Sequence, residues 1–324
     1  MNRKLLVCMT GVAFLCFLGV ASAQAQKFPI KPIKMVVGYA PGGGSDIMGR
    51  LIAPHITEAM GQPIIVENRP GAAQNVAAEH IIKQPGDGYK LFMSSAALGV
   101  NVSLYAKLNY DPVKDFAPIV VFATSPNLLL VKPSFPAKDV AEFIAAVKKN
   151  PGKFNYSSSG TGSTQHLSGE MLKLMLNTDI THVAYKGTSP SLTALAGGEV
   201  DFSFSNIPAA QPLLATGKFR AIGITSAKRS ALLPELQTMI EGGLPGFVTA
   251  TWYGLLAPAG TPRSVIEALN AVVVKAVQKE DLRTKLAHLG ADPVVESPEF
   301  FQKFLLEEIE RWSKVVKAAK LKVE

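Results

Sequence analysis

Hydrophobic and polar positions follow a repeated unit along the chain: a short β-prone run, a loop rich in glycine or serine, then a helical pattern. The first unit opens with an apolar run over 33–39 and meets Pro41-Gly42-Gly43-Gly44-Ser45-Asp46. It continues with Ile47, Leu51 and Ile52 on one helical face. Pro54 is expected to end or kink that helix. Short strands are predicted at 64–66 and at 91–93, the latter running into Ser94 and Ser95. A long β-prone stretch over 117–131, interrupted by Pro126, reads as the chain crossing into another domain. Asp139 is placed to cap a helix whose apolar face is Val140, Phe143, Ile144 and Val147, and Asn150-Pro151-Gly152 stops it.

The unit then recurs. A strand over 154–159 leads to Gly160-Thr161-Gly162-Ser163 and a helix carrying Leu167, Met171 and Leu174. A strand over 183–185 leads to Lys186-Gly187-Thr188, with Ser189 and Pro190 as N-cap and first residue of the next helix. Gly197-Gly198 ends that helix, and a strand follows at 200–204. The run 252–256 has the pattern of a return crossing. One helix is predicted over 264–278, and a last one opens at Ser297-Pro298 with Phe301, Leu305, Trp312 and Val316 along its buried stripe. Alternating β and α elements predict α/β layers with largely parallel sheets. Crossings near 124 and 251 predict two lobes, the first assembled from both ends of the chain.

A length of 324 residues suits two domains, and an apolar share of 48% excludes a disordered chain. Residues 1–26 change the remaining arithmetic. They combine basic Arg3 and Lys4, an apolar stretch over 5–20, and an A-x-A site at Ala21-Ser22-Ala23 with a second at Ala23-Gln24-Ala25. This is the pattern of a cleaved secretory signal peptide. An uncleaved anchor is the alternative, and the apolar stretch is short for a span of ~20 residues. Leu15 before Cys16 disfavours lipidation. Cleavage removes Cys8 and Cys16, so disulfides, thiolate metal sites and cysteine catalysis are not expected. It also takes two of the 33 basic residues against 25 acidic ones, lowering the formal charge from +8 to +6. No later stretch reaches transmembrane length, so the mature chain is expected not to enter a membrane.

The two glycine-rich loops each precede a helix N-terminus, where free N–H groups and a partial positive charge favour an anion, particularly a carboxylate. Glycine permits close approach of the ligand to the backbone, and Ser45, Ser163 and Thr164 add hydroxyls. A helix N-terminus contributes ~0.3–2 kcal/mol and a hydrogen bond to a charged group ~1.5–3 kcal/mol. Two helix ends and a few such bonds are thus enough for micromolar binding, about 8 kcal/mol, without a buried arginine. Other chemistries lack their motifs. The third glycine of G-x-G-x-x-G is missing, and G-K-[ST], H-E-x-x-H and G-x-S-x-G are absent. His55, His80, His166, His182 and His288 show no ligand spacing. His166 near Ser163 could form a nucleophile–base pair, but pocket lining or helix capping is the preferred role. Asp46 is assigned to the helix dipole rather than to general-base work. Scattered basic residues such as Lys148-Lys149 and Lys228-Arg229 form no nucleic-acid stripe.

Eight segments, in order, give the chain a resemblance to the tripartite tricarboxylate transporter substrate-binding proteins, the Bug-type receptors. They are Tyr39-Ala40-Pro41-Gly42-Gly43-Gly44-Ser45-Asp46, Val66-Glu67-Asn68-Arg69-Pro70-Gly71-Ala72, Asp87-Gly88-Tyr89 and Tyr110-Asp111-Pro112-Val113-Lys114-Asp115-Phe116. Ser163-Thr164-Gln165-His166-Leu167, Tyr185-Lys186-Gly187, Thr225-Ser226-Ala227-Lys228-Arg229-Ser230 and Gly254-Leu255-Leu256-Ala257-Pro258-Ala259-Gly260-Thr261-Pro262 complete the set.

The resemblance implies an α/β, two-lobed type II periplasmic binding protein (a Venus flytrap) without disulfides. The lobes would be 27–123 with 252–324, and 124–251. It implies a small organic carboxylate trapped between the lobes, often through bridging waters, and delivered to a two-subunit membrane permease driven by an ion gradient. The expected ligand is a di- or tricarboxylate or an aromatic carboxylate. The protein would be a monomeric periplasmic receptor of a Gram-negative bacterium, with no cofactor, nucleic acid or enzymatic activity. Ligand contacts are expected at Tyr39, Pro41, Gly42, Gly43, Gly44, Ser45, Asp46, Ser94 and Ser95, and at Ser159, Thr161, Gly162, Ser163, Thr164 and His166. Tyr185, Lys186, Gly187, Ser205 and Asn206 complete the expected site. Ser205 stands where many members carry aspartate, which disfavours an amino-bearing ligand, and Ser95-Ala96-Ala97-Leu98-Gly99 is less polar than usual, which favours an apolar or aromatic body. The alternatives are a sensory protein presenting a carboxylate to a membrane kinase, and a serine hydrolase.

Overall fold

The computed structural model of the chain describes residues 28–323. The expected signal segment, with Cys8 and Cys16, lies outside the described residues. The first part of the chain folds as β1 (Ile33–Val37), α1 (Gly44–Met60), β2 (Ile64–Asn68), α2 (Asn75–Ile81), β3 (Lys90–Ser95) and α3 (Ala97–Leu104). The long strand β4 (Phe116–Val131) leads into α4 (Val140–Lys149), β5 (Asn155–Ser158), α5 (Thr164–Leu176), β6 (Thr181–Ala184) and α6 (Thr188–Ala196). Then come β7 (Phe202–Asn206), α7 (Ile207–Leu214), β8 (Arg220–Ile224) and β9 (Ala250–Pro258). The chain finishes with α8 (Arg263–Gln278), α9 (Glu280–His288), β10 (Asp292–Pro293) and α10 (Pro298–Ala318).

The main sheet path runs β2-β1-β3-β9-β4-β7-β5-β6, with β8 and β10 also paired to β4. β1 is parallel to β2 and β3, and β5 is parallel to β6 and β7. The seam departs from the largely parallel arrangement expected from the sequence. β4 and β9 pair antiparallel from Phe116↔Pro258 to Pro126↔Ala250, and β3 meets β9 antiparallel as well. A chain that leaves one half and returns must run in opposite directions along the seam. Beyond Pro126, β4 passes into the second half and pairs antiparallel with β7 and β8.

Each half covers its part of the sheet on both faces, which is why the strands read as near-continuous apolar runs. In the first half, Ile33, Met35 and Val37 pack on Met48, Ile52 and Ile56 of α1 and on Leu269 and Val273 of α8. On the opposite face Val36, Phe92 and Leu256 pack on Phe301 and Leu305 of α10. In the second half, Leu129, Val131, Phe202 and Phe204 pack on Val140, Phe143 and Leu172, while Leu128 and Leu130 face Leu192 and Leu195.

Asp139 and Ser297 cap their helices as the sequence predicts, accepting from the Glu142 and Phe300 N–H groups. Pro54 does not end α1. It is exposed, as is Arg50, so the Arg50 carbonyl that loses its helical partner is on the wet side. The helix after β6 starts at Thr188 with Gly187 as N-cap, ahead of the Ser189 and Pro190 positions expected. The run around Lys228-Arg229 plays a structural part: Arg229 Nε donates to both oxygens of Glu241, at 3.1 and 2.9 Å.

Phe301 is fully buried, its ring edge-on to Trp252 at 5.3 Å between centroids. The ring packs directly on Gly254, where a Cβ would sit 2.8 Å from it, and glycine has no side chain to fill the space the ring would leave. Phe301→Ala should cost ~3–5 kcal/mol in urea unfolding followed by circular dichroism. A loss below about 1 kcal/mol would show that this face is not close-packed.

Candidate functional site

The carboxyl ends of β1, β3, β5 and β7 and the amino ends of α1, α5, α6 and α7 converge where the two halves meet. In an α/β sheet this is where ligands bind. The convergence encloses a small cavity with an empty volume of about 290 Å³. Tyr39, Gly44, Ser45 and Ser95 line it from the first half, and Ser159, Thr164, Gln165, Thr188 and Asn206 from the second. Thr251 and Tyr253 of β9 form the floor at the seam. The lining carries hydroxyls and amides but no charged side chain.

Local sequence explains how each group is presented. Gly43 is the N-cap of α1 and has no side chain to satisfy the first N–H groups, which therefore stay available. Gly44 is required by close approach: a Cβ there would lie 2.5 Å from both Asn206 Oδ1 and the Tyr253 hydroxyl. Asn206 caps α7 by accepting from Ala209 N–H at 3.3 Å. Ser159 Oγ donates to Gln165 Oε1 at 2.8 Å, and Gln165 Nε2 donates to Thr188 Oγ1 at 3.3 Å.

Tyr253 is buried and its hydroxyl has no partner among the described residues. Tyr39 accepts from Ser95 Oγ at 3.4 Å, which leaves its own O–H to be donated. Burial pushes the Tyr39 phenol up to about 12, and burial raises Tyr253 as well. Both are therefore neutral donors aimed at one space.

A second cavity, of about 570 Å³ empty volume, adjoins the first and shares Tyr39 and Ser159 with it. Thr161, Tyr185 and Lys186 line it, together with Tyr105 and the turn of Gly71, Ala72 and Ala73. The halves touch across its rim, where Ala40 N–H donates to the Lys186 carbonyl at 3.3 Å. Gly187, at φ 145°, packs over Ala40 so closely that a Cβ would lie 2.9 Å from its backbone nitrogen.

The remaining expected residues fall around these cavities. Pro41 and Gly42 are exposed at the rim, and Gly43 is buried, where a Cβ would press on the Ala40 carbonyl at 3.3 Å. Asp46 lies behind the first loop, accepting from Gly42 N–H, Arg50 Nε and Asn68 Nδ2, each at 2.9 Å. Burial pushes its carboxyl up, but these donors outweigh burial and hold it below the ordinary value. Ser94 is fully buried and donates to Gln74. Ser205 is fully buried, its Oγ donating to the Asn206 carbonyl, and it lines neither cavity. Ser163 caps α5 by accepting from His166 N–H. The His166 ring faces Gly162 N–H and His182, so no Ser163–His166 nucleophile pair forms.

Thr188, Thr251 and Tyr253 were not foreseen, and Gln165 falls within the 159–166 segment that the resemblance marks. Gln165 and Thr188 simply extend the two recognised turns into their helices. Thr251 and Tyr253 carry a period-two signal, two polar-tipped residues on one face of β9. Among the described residues no group of three His, Cys, Asp or Glu side chains could hold a metal ion, and no helix is long and apolar enough to cross a membrane.

The family model for the tripartite tricarboxylate transporter family receptor matches residues 48–321. BugT of Bordetella pertussis (strain Tohama I) is 34% identical over 327 residues, covering 99% of this chain and 100% of BugT. The structure of R. palustris Rpa4515 with adipate superposes with a TM-score of 0.89 at 38% identity, covering 91% of this chain and all of that one. MatC (Rpa3494) from Rhodopseudomonas palustris with bound malate gives a TM-score of 0.84 at 38% identity, covering 89% and 100%. The fold is thus the two-lobed α/β fold of periplasmic binding proteins, and the family is one of receptors, not enzymes.

Two imidazoles behind the second loop make a pH prediction. Burial, with the nearby His182 and Lys173 charges, pushes His166 down to about 3, and burial with Lys173 pushes His182 down to about 4. Both folded values lie below the ordinary 6.5, so the unfolded chain binds more protons in acid. Their stabilisation is complete above pH ~6.5 and falls toward pH ~4, by up to about 1.4 kcal/mol per pH unit for each ring. Melting temperature should therefore drop across this window, and less steeply in His166→Asn/His182→Gln. Equal slopes for the two proteins would contradict the assignment of buried neutral rings.

Proposed function

The chain belongs to the tripartite tricarboxylate transporter receptor family, and from that premise we propose that it captures a small organic carboxylate between its two lobes and delivers it to a membrane permease. The supporting observation is the Tyr253 hydroxyl, buried and unpartnered among the described residues, aimed into a cavity where helix amino ends meet. A buried O–H without a partner, beside the N–H groups of helix amino ends, suits a ligand that brings only acceptors, as a carboxylate does. The adipate and malate held by the two similar R. palustris proteins support the same ligand chemistry.

One carboxylate of the ligand sits in the inner cavity, on Ser45, Thr164, Thr188 and the Tyr39 and Tyr253 hydroxyls. The body of the ligand extends into the adjoining cavity between Tyr105, Tyr185 and Lys186. A second acidic group there would meet the Lys186 ammonium, whose side chain makes no ion pair among the described residues. The lobes are residues 27–123 with 252–324, and 124–251, and they close over the ligand by bending where β4 and β9 cross. In this reading residues 1–26 direct export to the periplasm, and the partner is a two-subunit permease.

Ligand raises stability by RT ln(1 + [L]/Kd), about 4 kcal/mol at a thousandfold excess over Kd. A thermal-shift panel of adipate, malate, citrate and terephthalate should give a rise in melting temperature with at least one acid. Tyr253→Phe removes one charge-assisted bond and should weaken that acid by ~1.5–3 kcal/mol, tenfold or more. Gly44→Ala, which wedges Asn206 away from Tyr253, should abolish the shift and also lower the ligand-free melting temperature, because Asn206 caps α7. No shift with any acid, or a shift indifferent to both substitutions, would overturn the proposal.

A further inference from the structure

The loop over 159–163 forms part of both cavities and touches the opposite half. A Cβ at Gly162 would collide with Asn101 Oδ1, and one at Gly160 would lie 3.6 Å from Ala73 N. Gly160 and Gly162 sit at φ 132° and 102°, conformations that only glycine adopts readily. The loop's position therefore sets both the anion site and the fit between the lobes.

Two imidazoles hold it from behind. Gly162 N–H donates to His166 Nδ1 at 3.2 Å. Gly160 N–H donates to Ser158 Oγ at 3.1 Å, and that hydroxyl is 2.7 Å from His182 Nε2. The two rings lie 4.3 Å apart. These anchors respond differently to a proton. The Ser158 hydroxyl can donate to His182 or accept from it, so that bond survives either state. His166 Nδ1 already faces an N–H, and an imidazolium has no acceptor nitrogen.

The surroundings offer an imidazolium at His166 little compensation. Glu170, on the same helix, has its carboxylate 3.9 Å from His166 Nε2. That carboxylate is already held by Lys173 at 3.3 Å and by the Tyr156 hydroxyl of β5 at 2.9 Å. Tyr156 OH also contacts the His166 carbonyl oxygen at 3.2 Å, and His182 of β6 covers the ring.

We propose that His166 is a positioning residue for the anion-binding loop, and that protonating it unlatches the loop and loosens the receptor's hold on ligand in acid. The ligand half of this statement rests on the carboxylate capture proposed above; the loop half does not. With the loop closed the imidazole resists protonation down to about 3. Opening the loop frees Nδ1 and admits water to the ring, which raises its value toward the ordinary 6.5, so loop opening takes up a proton and grows in acid by up to about tenfold per pH unit.

Hydrogen exchange on the intact protein, read on a peptide covering 159–164 and corrected for intrinsic exchange rates, tests this from pH 7 to pH 4.5. Wild-type protection should fall at least tenfold across this range while a peptide from β4 stays protected. His166→Asn places an amide oxygen near the lost nitrogen and cannot titrate, so its loop protection should stay flat. His166→Leu, lacking any acceptor, should show low protection at every pH. Should the leucine variant not fold, the wild-type and asparagine profiles decide alone. Unchanged wild-type protection in acid, or a parallel fall in His166→Asn, would overturn the proposal. Adipate titrated into both proteins is affected equally by its own protonation, so wild-type affinity should fall tenfold relative to His166→Asn over the same range. If adipate binds both proteins with a constant ratio, ligand release by this latch is overturned. Failure of adipate, malate, citrate and terephthalate alike to bind either protein counts against carboxylate capture, and the exchange profiles still decide the loop.

Discussion

Buried hydrogen-bond donors need acceptors, and at the seam of this protein donors around one small space are left without a partner. The Tyr253 hydroxyl has none among the described residues, Tyr39 keeps its O–H free, and the first N–H groups of α1 lack a side-chain cap. Leaving such groups buried and unmet costs roughly 1–3 kcal/mol each. The protein tolerates this because each donor is fixed by something else: Tyr253 by its strand, Asn206 by its own cap, Gly43 by the loop that Asp46 closes from behind. The deficit is thus built into the fold, and a ligand that supplies only acceptors relieves it.

That arrangement depends on the two crossing strands. β4 and β9 belong to both halves, and their antiparallel pairing brings Thr251 and Tyr253 to the line along which the halves meet. The helices on either side then aim their amino ends at this line. Closure follows from contacts that only small residues permit, at Gly44 beneath Asn206 and at Gly187 over Ala40. For the proposed carboxylate a formal cation in the inner cavity is unnecessary, since the helix ends and neutral hydroxyls provide a positive potential there. Asp46 shows the same economy of charge: Arg50 neutralises it and Asn68 hydrogen-bonds it on the far side of the loop, so it does not oppose an anion at the proposed site.

Much of this was legible in the sequence because it is local. The two loop-to-helix turns announce themselves through glycine, serine and proline chemistry, and both lie at the cavity. The caps at Asp139 and Ser297 follow from residue type alone. What escaped depends on tertiary context. α3 buries six of its eight residues and its exposed position is Val102, itself apolar, so it carries no amphipathic period to read. The antiparallel seam is set by where the chain returns, which no window of neighbouring residues encodes. Tyr253 looks like a core aromatic until Gly44 of its own half and Asn206 of the opposite half come over it. Ser205 erred the other way: its neighbourhood suggested a ligand contact, but the strand's period of two turns it to the side away from the cavity that Asn206 lines.

A crystal structure with bound adipate would test the central claim most directly, that an anion is held here by groups without formal charge. One carboxylate should lie within about 3 Å of the Tyr253 hydroxyl and of N–H groups at the start of α1 or α5, with no lysine or arginine in contact with that carboxylate. A ligand whose carboxylates rest only on Lys186 or another cation, leaving the Tyr253 hydroxyl without a partner, would contradict it.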